Sequence, residues 1–293
     1  MRENRDFGIA IVTDSAACLP TTLAESHDIE VVPMEFIHEG KVYRDGIDIT
    51  PAQLYDLLPH AKKLPTTSAP SPNSYLSVFQ GLANRKPTIL VVTPSSKFTH
   101  AFVSARAAAQ MAGQQLPRVS VEVLDSGTAA GAQGLVVLAA ARAAMNGGGL
   151  QQTVSVARKL MPRVRLIACI DTLHYLAKGG RVPQVVSWAN SILKIRPIFE
   201  LLPQSKGATL IDRVRIRPRA IERLVEIMTE EANQKPVHAV VMHTNELTGA
   251  NELRDEIESR LNCAETHVTD FTPVMGVHTG PGLVGVAFYF DET

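Results

Sequence analysis

TILVVTPSSKFTHAFVSARAAAQMAGQQLPRVSVEVLDSG (88–127) decides the fold class. It opens with the apolar run TILVVTPSS (88–96), which reads as a buried strand ending in a polar turn. A helical pattern follows over 99–112, and then a second strand-like run, VSVEVLDSG (119–127). That run leads into another helical pattern over 128–145. Strands alternating with helices imply a parallel sheet with helices on its faces.

The reading extends in both directions. FGIAIVTDS (7–15) is another buried strand with a polar turn. IEVVPMEFIH (29–38) and KVYRDG (41–46) flank Glu39-Gly40, a hairpin signal. TPAQLYDLL (50–58) starts a helix, with a Thr cap and Pro at the first helical position. Asn146-Gly147-Gly148-Gly149 ends a helix and marks the domain boundary. Beyond it, RLIACI (165–170), ILKIRPIFEL (192–201), ATLIDRVRI (208–216), HAVVMHT (238–244) and the C-terminal run 268–290 are strand-like. Residues 216–233 and 246–261 are helical. The expectation is α/β throughout: a parallel α/β/α domain over 1–149 and a mixed-sheet α/β domain over 150–293.

Composition narrows the function. The 293 residues carry 29 basic and 29 acidic side chains, for a net charge of zero, which gives no support to a nucleic-acid or anionic-membrane surface. Hydrophobic residues at 45% exclude a disordered chain. Cys18, Cys169 and Cys263 are odd in number and far apart, against a disulfide framework or a CxxC metal site. No run of 18 apolar residues occurs and the N-terminal apolar run is short, so the expectation is a cytoplasmic protein without stable membrane insertion.

Few motifs carry chemistry. GPGLVG (280–285) fits GxGxxG, but VGVAFYF follows it and reads as a strand, against a dinucleotide fingerprint. His278 lies in VHTGPG between two strand-like runs, either donating to a carboxylate or phosphate or holding the turn. Thr66, Thr67 and Ser68 lie in a polar loop punctuated by prolines. Ser95 and Ser96 end one strand, and Thr13, Asp14 and Ser15 end another. Each cluster reads as a helix cap or as part of an anion site at strand carboxyl ends. Leu176–Arg181 reads as a helix end with a Gly stop, leaving Arg181 as a surface residue or a docking anchor. Arg213, Arg215, Arg217 and Arg219 alternate, as one strand face would, and read as a solvated face rather than a phosphate track.

Six segments resemble the DegV family of bacterial fatty-acid-binding proteins: VTDSAACLP (12–20), PTTSAPSP (65–72), TPSSKFT (93–99), DTLHYLAKGGRV (171–182), ILKIRPIFEL (192–201) and VHTGPGLVG (277–285). They occur in family order along nearly the whole chain. The resemblance implies a two-domain DegV-like fold with a long-chain fatty acid held between the domains. It implies carboxylate binding by Thr67, Ser96 and His278, with Ser68 and Thr99 beside them, and a docking role for Arg181 toward a separate ATP-dependent fatty-acid kinase. It implies no catalytic residue, metal or cofactor other than the bound acid. Hydroxyl and imidazole partners without an arginine clamp suit a carboxyl that stays protonated. The departures from the family pattern are Ala69, His100 and Cys18. The competing expectations are a hydrolase or phosphotransferase using Ser96 and His278, and a partner protein with no ligand.

Overall fold

The computed structural model describes residues 8–182, 195–203 and 207–292. Phe7 of the first expected strand and residues 192–194 of the strand expected at 192–201 lie outside the described residues.

Strands β1 (Ile9–Asp14), β2 (Ile29–Val32), β6 (Thr88–Thr93) and β7 (Ser120–Asp125) form an all-parallel sheet in the order β2-β1-β6-β7. Every residue of β1 is buried, as a strand covered on both faces requires. Alternation sends Ala10, Val12, Ile89 and Val91 to the side of α3 (Pro72–Leu82) and α4 (Ala101–Gln115). Ile9, Ile11, Leu90 and Val92 point the other way, toward α5 (Ala130–Met145) and α6 (Leu150–Leu160).

The second sheet has six strands in the order β10-β9-β8-β13-β11-β12. They are β8 (Arg165–Cys169), β9 (Arg196–Leu201), β10 (Thr209–Val214), β11 (Val237–His243), β12 (Cys263–Asp270) and β13 (Val284–Phe290). Only β11 and β12 pair in parallel, so the sheet is mixed. One face, with Ile167, Val241 and Val286, packs on α8 (Arg217–Ala232) and α9 (Leu247–Arg260). The other face, with Leu166, Val240 and Met242, shares a core with α5 and the parallel sheet. α5 is therefore buried between the two sheets from Ala130 to Leu138 and at Ala140 and Ala141, in keeping with its largely apolar sequence. Gly131 and Gly134 permit the approach: a Cβ would meet Met242 Sδ at 2.9 Å and the Ala17 carbonyl at 2.8 Å.

A small antiparallel sheet, β4-β3-β5, sits beside the parallel one. It comprises β3 (Glu35–His38), β4 (Lys41–Arg44) and β5 (Thr66–Ser68). Glu39 (φ 49°) and Gly40 (φ 77°) make the expected two-residue hairpin turn with both residues left-handed. The short α1 (Thr21–Ser26), α2 (Pro51–Leu57) and α7 (His174–Gly179) complete the lower-order connections, and Thr50 caps α2 as expected.

Four expectations are corrected. The strand at 29–38 is two strands in different sheets, divided at Pro33, which cannot donate to a ladder. The loop Thr66–Ser68 is β5, paired with β3. The C-terminal run contains a helix, α10 (Pro273–Thr279), so between β12 and β13 His278 lies in a helix's last turn rather than in a tight turn. Pro273 at the first helical position starts it, and Gly280 (φ 68°) stops it. The four alternating arginines share no face: Arg213 is in β10, Arg215 in the bend after it, and Arg217 and Arg219 in the first turn of α8.

Candidate functional site

α10 is fixed from three sides. At its start, Asp45 Oδ1, just after β4, accepts the Val274 amide at 3.0 Å. Tyr55 of α2 donates to the Phe271 carbonyl at 3.4 Å. Gly276 lies so close to α2 that a Cβ would sit 2.6 Å from the Tyr55 hydroxyl. The opposite end of α10 then brings His278 Nε2 to 2.9 Å from Thr67 Oγ1 on β5.

The other ring nitrogen, Nδ1, is buried without a hydrogen-bond partner and faces Gly179 at the end of α7. A Cβ on Gly179 would lie 2.9 Å from it. Arg181 donates to the Gly179 carbonyl at 2.7 Å. Burial, reinforced by the Arg181 charge, pushes the His278 pKa down to about 4. The imidazole is neutral near pH 7 and carries one N–H. If Nε2 is protonated it donates to Thr67, whose hydroxyl hydrogen turns to a ligand. In the other tautomer Thr67 donates to Nε2 and offers its lone pairs. Either way the pair presents a neutral, adaptable hydrogen-bonding group.

This pair lies on the wall of a cavity of about 600 Å³, within the ~300–1,000 Å³ of small-ligand sites. The cavity collects the residues that the family resemblance implied, Thr67, Ser68, Ser96, Thr99, His278 and Arg181, but not Thr66 or Ser95. Ala69 and His100 line it as well. The Ser96 amide donates to Asp125 Oδ2 at 3.1 Å, which anchors the turn after β6. Thr99 Oγ1 accepts the Ala101 amide at 3.4 Å, so it also caps the start of α4. The rest of the lining includes the apolar Leu166, Phe199, Leu201, Ala208 and Leu283, together with the polar Glu35, Lys97 and Ser104.

Some expectations resolve against a ligand role. Thr13 and Asp14 do not line the cavity, and Thr13, Asp14 and Ser15 have structural partners. Thr13 donates to the Val92 carbonyl at 2.8 Å, Asp14 accepts the Ala16 amide at 3.1 Å, and Ser15 Oγ accepts the Met34 amide at 3.0 Å. Burial pushes Asp14 up to about 7 despite bonds from Gln133 and Tyr75. Cys18 is buried, and its thiol is pushed up to about 12, far from a reactive thiolate. Among the described residues no hydrogen bond joins Ser96 to His278, and no cluster of ligating side chains could hold a metal. No described helix is long and apolar enough to cross a membrane.

Sequence reasoning missed two contributors, the space at Gly179 and the cap from Asp45, and gave a third, Arg181, only an outward-facing role. Arg181 is a wall residue close enough to His278 to depress its pKa, not only an exposed corner. Gly179 makes room for the imidazole, and the Gly179-Gly180 pair was its only trace in the sequence. Asp45 gave no local signal, because its partner lies 229 residues away.

A family model described as "Uncharacterised protein, DegV family" matches residues 8–291. A DegV domain-containing protein of Caldanaerobacter subterraneus subsp. tengcongensis is 32% identical, covering 97% of this chain and 99% of that one. Protein DegV of Bacillus subtilis is 28% identical, over 97% of this chain and 100% of its own. Among solved structures, a DegV family protein of Thermus thermophilus, described by its fatty-acid binding, superposes with a TM-score of 0.89 at 26% identity. It covers 97% of this chain and 100% of that one. DegV of Bacillus subtilis, described as a fatty acid binding protein, gives 0.85 at 28% identity, with 97% and 99% covered. A stearic acid-binding protein of Eubacterium ventriosum gives 0.85 at 25%, with 96% and 98% covered. The two-domain fold is thus shared along whole chains, and this chain belongs to the DegV family.

Proposed function

We propose that the chain binds one long-chain fatty acid, its carboxyl group at Thr67 and His278 and its tail between the parallel and mixed sheets. In this reading the acid lies between the domains 1–149 and 150–293. The observation that carries it is the cavity: its wall combines hydroxyls, an imidazole and a guanidinium with a large apolar share that includes Leu166, Phe199, Leu201, Ala208 and Leu283. Related proteins described as binding fatty acids share the fold at 25% identity or more.

The energetics fit the residue types. Burying about 14 methylenes contributes up to ~11 kcal/mol at ~0.8 kcal/mol each. Lost translational and conformational freedom offsets much of that. A buried carboxyl without partners costs several kcal/mol, and in this reading the Thr67 hydroxyl, held by His278, would be one partner. The expectation of a site without an arginine is revised. Arg181 puts a permanent positive charge on the cavity wall, which favours the ionised carboxylate.

The wider role is a carrier that presents the carboxyl to a separate ATP-dependent kinase, with Arg181 as the docking anchor. A planar guanidinium on an exposed corner suits such a contact. The deciding experiment for ligand binding is delipidation of the purified chain followed by titration with fatty acid. Saturable binding at micromolar ligand supports the reading, and none at that level ends it. For docking, an Arg181→Ala chain loaded with fatty acid is offered to a cognate kinase. Reduced acyl-phosphate formation per bound fatty acid supports the contact, and normal phosphorylation of the bound acid argues against it.

A further inference from the structure

The apolar end of the cavity is organised by the six-stranded sheet. On the face toward α5, alternate residues point the same way and fall into rows across the strands. One row is Leu210, Phe199, Ala168 and Gly285. The next is Leu201, Leu166 and Ala287, with Ala208 preceding Thr209, the partner of Glu200. Two residues along each strand, about 6.5 Å, separate the rows.

α5 covers only part of this face. Over β13 and β11 the side chains are small enough for contact: a Cβ on Gly131 would meet Met242 Sδ at 2.9 Å and Ala287 Cβ at 3.2 Å. Over β8 and β9 the larger Leu166, Phe199 and Leu201 face the cavity instead. One step further along the same face, Val164 is fully buried in the core and does not line the cavity. The second row is therefore the cavity's far wall on this sheet. Ala208 is the small side chain in that wall, 4% exposed.

We propose that Leu166, Leu201 and Ala208 form the stop that sets the longest acyl chain this protein accepts. The inference rests on the fatty-acid reading and assigns it a chain-length determinant. Each methylene that finds apolar wall raises affinity about fourfold. A chain that reaches the row gains nothing from further methylenes, because a packed wall resists insertion. Bulk added at Ala208 advances the stop toward His278, and bulk removed at Leu201 retracts it.

The test titrates the delipidated full chain with saturated fatty acids of stepwise increasing length. For the unsubstituted chain, affinity climbs about fourfold per methylene to a break and then levels or falls. Ala208→Phe moves the break to shorter acids, and Leu201→Ala moves it to longer ones. Acids too short to reach the row bind Ala208→Phe and the parent alike. Thermal melting establishes that each variant folds. Ala208→Leu replaces the phenylalanine variant if that one does not fold, and shifts the break the same way by fewer methylenes. A break at the parental length in the folded variants overturns the proposal. Absence of binding by the unsubstituted chain at every length overturns the fatty-acid reading itself.

Discussion

Asp45 caps the helix that carries His278: its Oδ1 accepts the Val274 amide at 3.0 Å across 229 residues of sequence. The carboxylate is buried, and burial raises its pKa. Asp45→Ala removes the cap, which costs ~0.5–2 kcal/mol of stability. It also loosens α10, so fatty-acid affinity falls with it. Urea unfolding and ligand titration on the same preparation measure both. A loss of stability with unchanged affinity would separate the cap from the site.

The Thr67–His278 pair gives the most direct test of the head-group assignment. Thr67→Val and His278→Ala each remove one hydrogen bond to a buried polar group, about 1–3 kcal/mol or roughly five- to 150-fold in affinity. Both variants are expected to remain folded. Unchanged affinity in both places the carboxyl elsewhere in the cavity.

Gly179→Ala tests the fit of the imidazole without removing any polar group. The new methyl would lie 2.9 Å from His278 Nδ1, so the ring must shift and the 2.9 Å contact to Thr67 must lengthen. The expected result is weaker fatty-acid binding with little change in melting temperature. Binding at the parental affinity would mean that the ring has slack.

Acid sensitivity follows from His278. Its folded pKa of about 4 lies below the 6.5 of an unperturbed histidine. As pH falls below about 6.5, the unfolded chain takes up a proton that the fold refuses. The native state therefore loses up to ~3 kcal/mol between about pH 6.5 and 4, and no more below that. His278→Asn abolishes this component, so the gap between variant and parent stability narrows or reverses on acidification. NMR titration of the ring gives the second check: Arg181→Ala removes a nearby positive charge and raises the His278 pKa.

Glu265 ties α5 to the edge of the mixed sheet. Arg142 grips it with two bonds of 2.5 Å, His238 Nδ1 lies at 2.6 Å and His267 Nε2 at 2.9 Å. These partners hold the Glu265 carboxyl well below the usual range, while Glu265 raises His238. The Glu265 contribution is present above its unfolded pKa of about 4.5 and lost as pH falls through the depressed folded value. The His238 contribution is complete below about 6.5 and lost as pH rises through its elevated folded value. Glu265→Gln should thus cost roughly 1–3 kcal/mol, discounted for partial solvent exposure, and cost more near pH 5.5 than near pH 8.5. Denaturant midpoints at the two pH values decide it.

The sequence by itself determined the parts whose signal is local. Ile9–Asp14 and Thr88–Thr93 are apolar on both faces, which only a covered parallel strand explains. Thr50-Pro51 starts α2, and Glu39-Gly40 turns a hairpin, because capping and left-handed φ are properties of adjacent residues. The loops that meet at the cavity were also legible, since Thr67, Ser96 and His278 stand in short distinctive motifs. Tertiary structure alone decided the rest. Val274–Thr279 is rich in valine and reads locally as strand, yet Asp45 and Tyr55 hold it as helix from far along the chain. Thr66–Ser68 is too short to announce a strand and becomes one by pairing with β3. Arg181 gained its place beside His278 only when α7 packed against α10. Propensity acts over a few residues, whereas caps, edge pairing and the field of a guanidinium act through space, between positions the chain brings together only on folding.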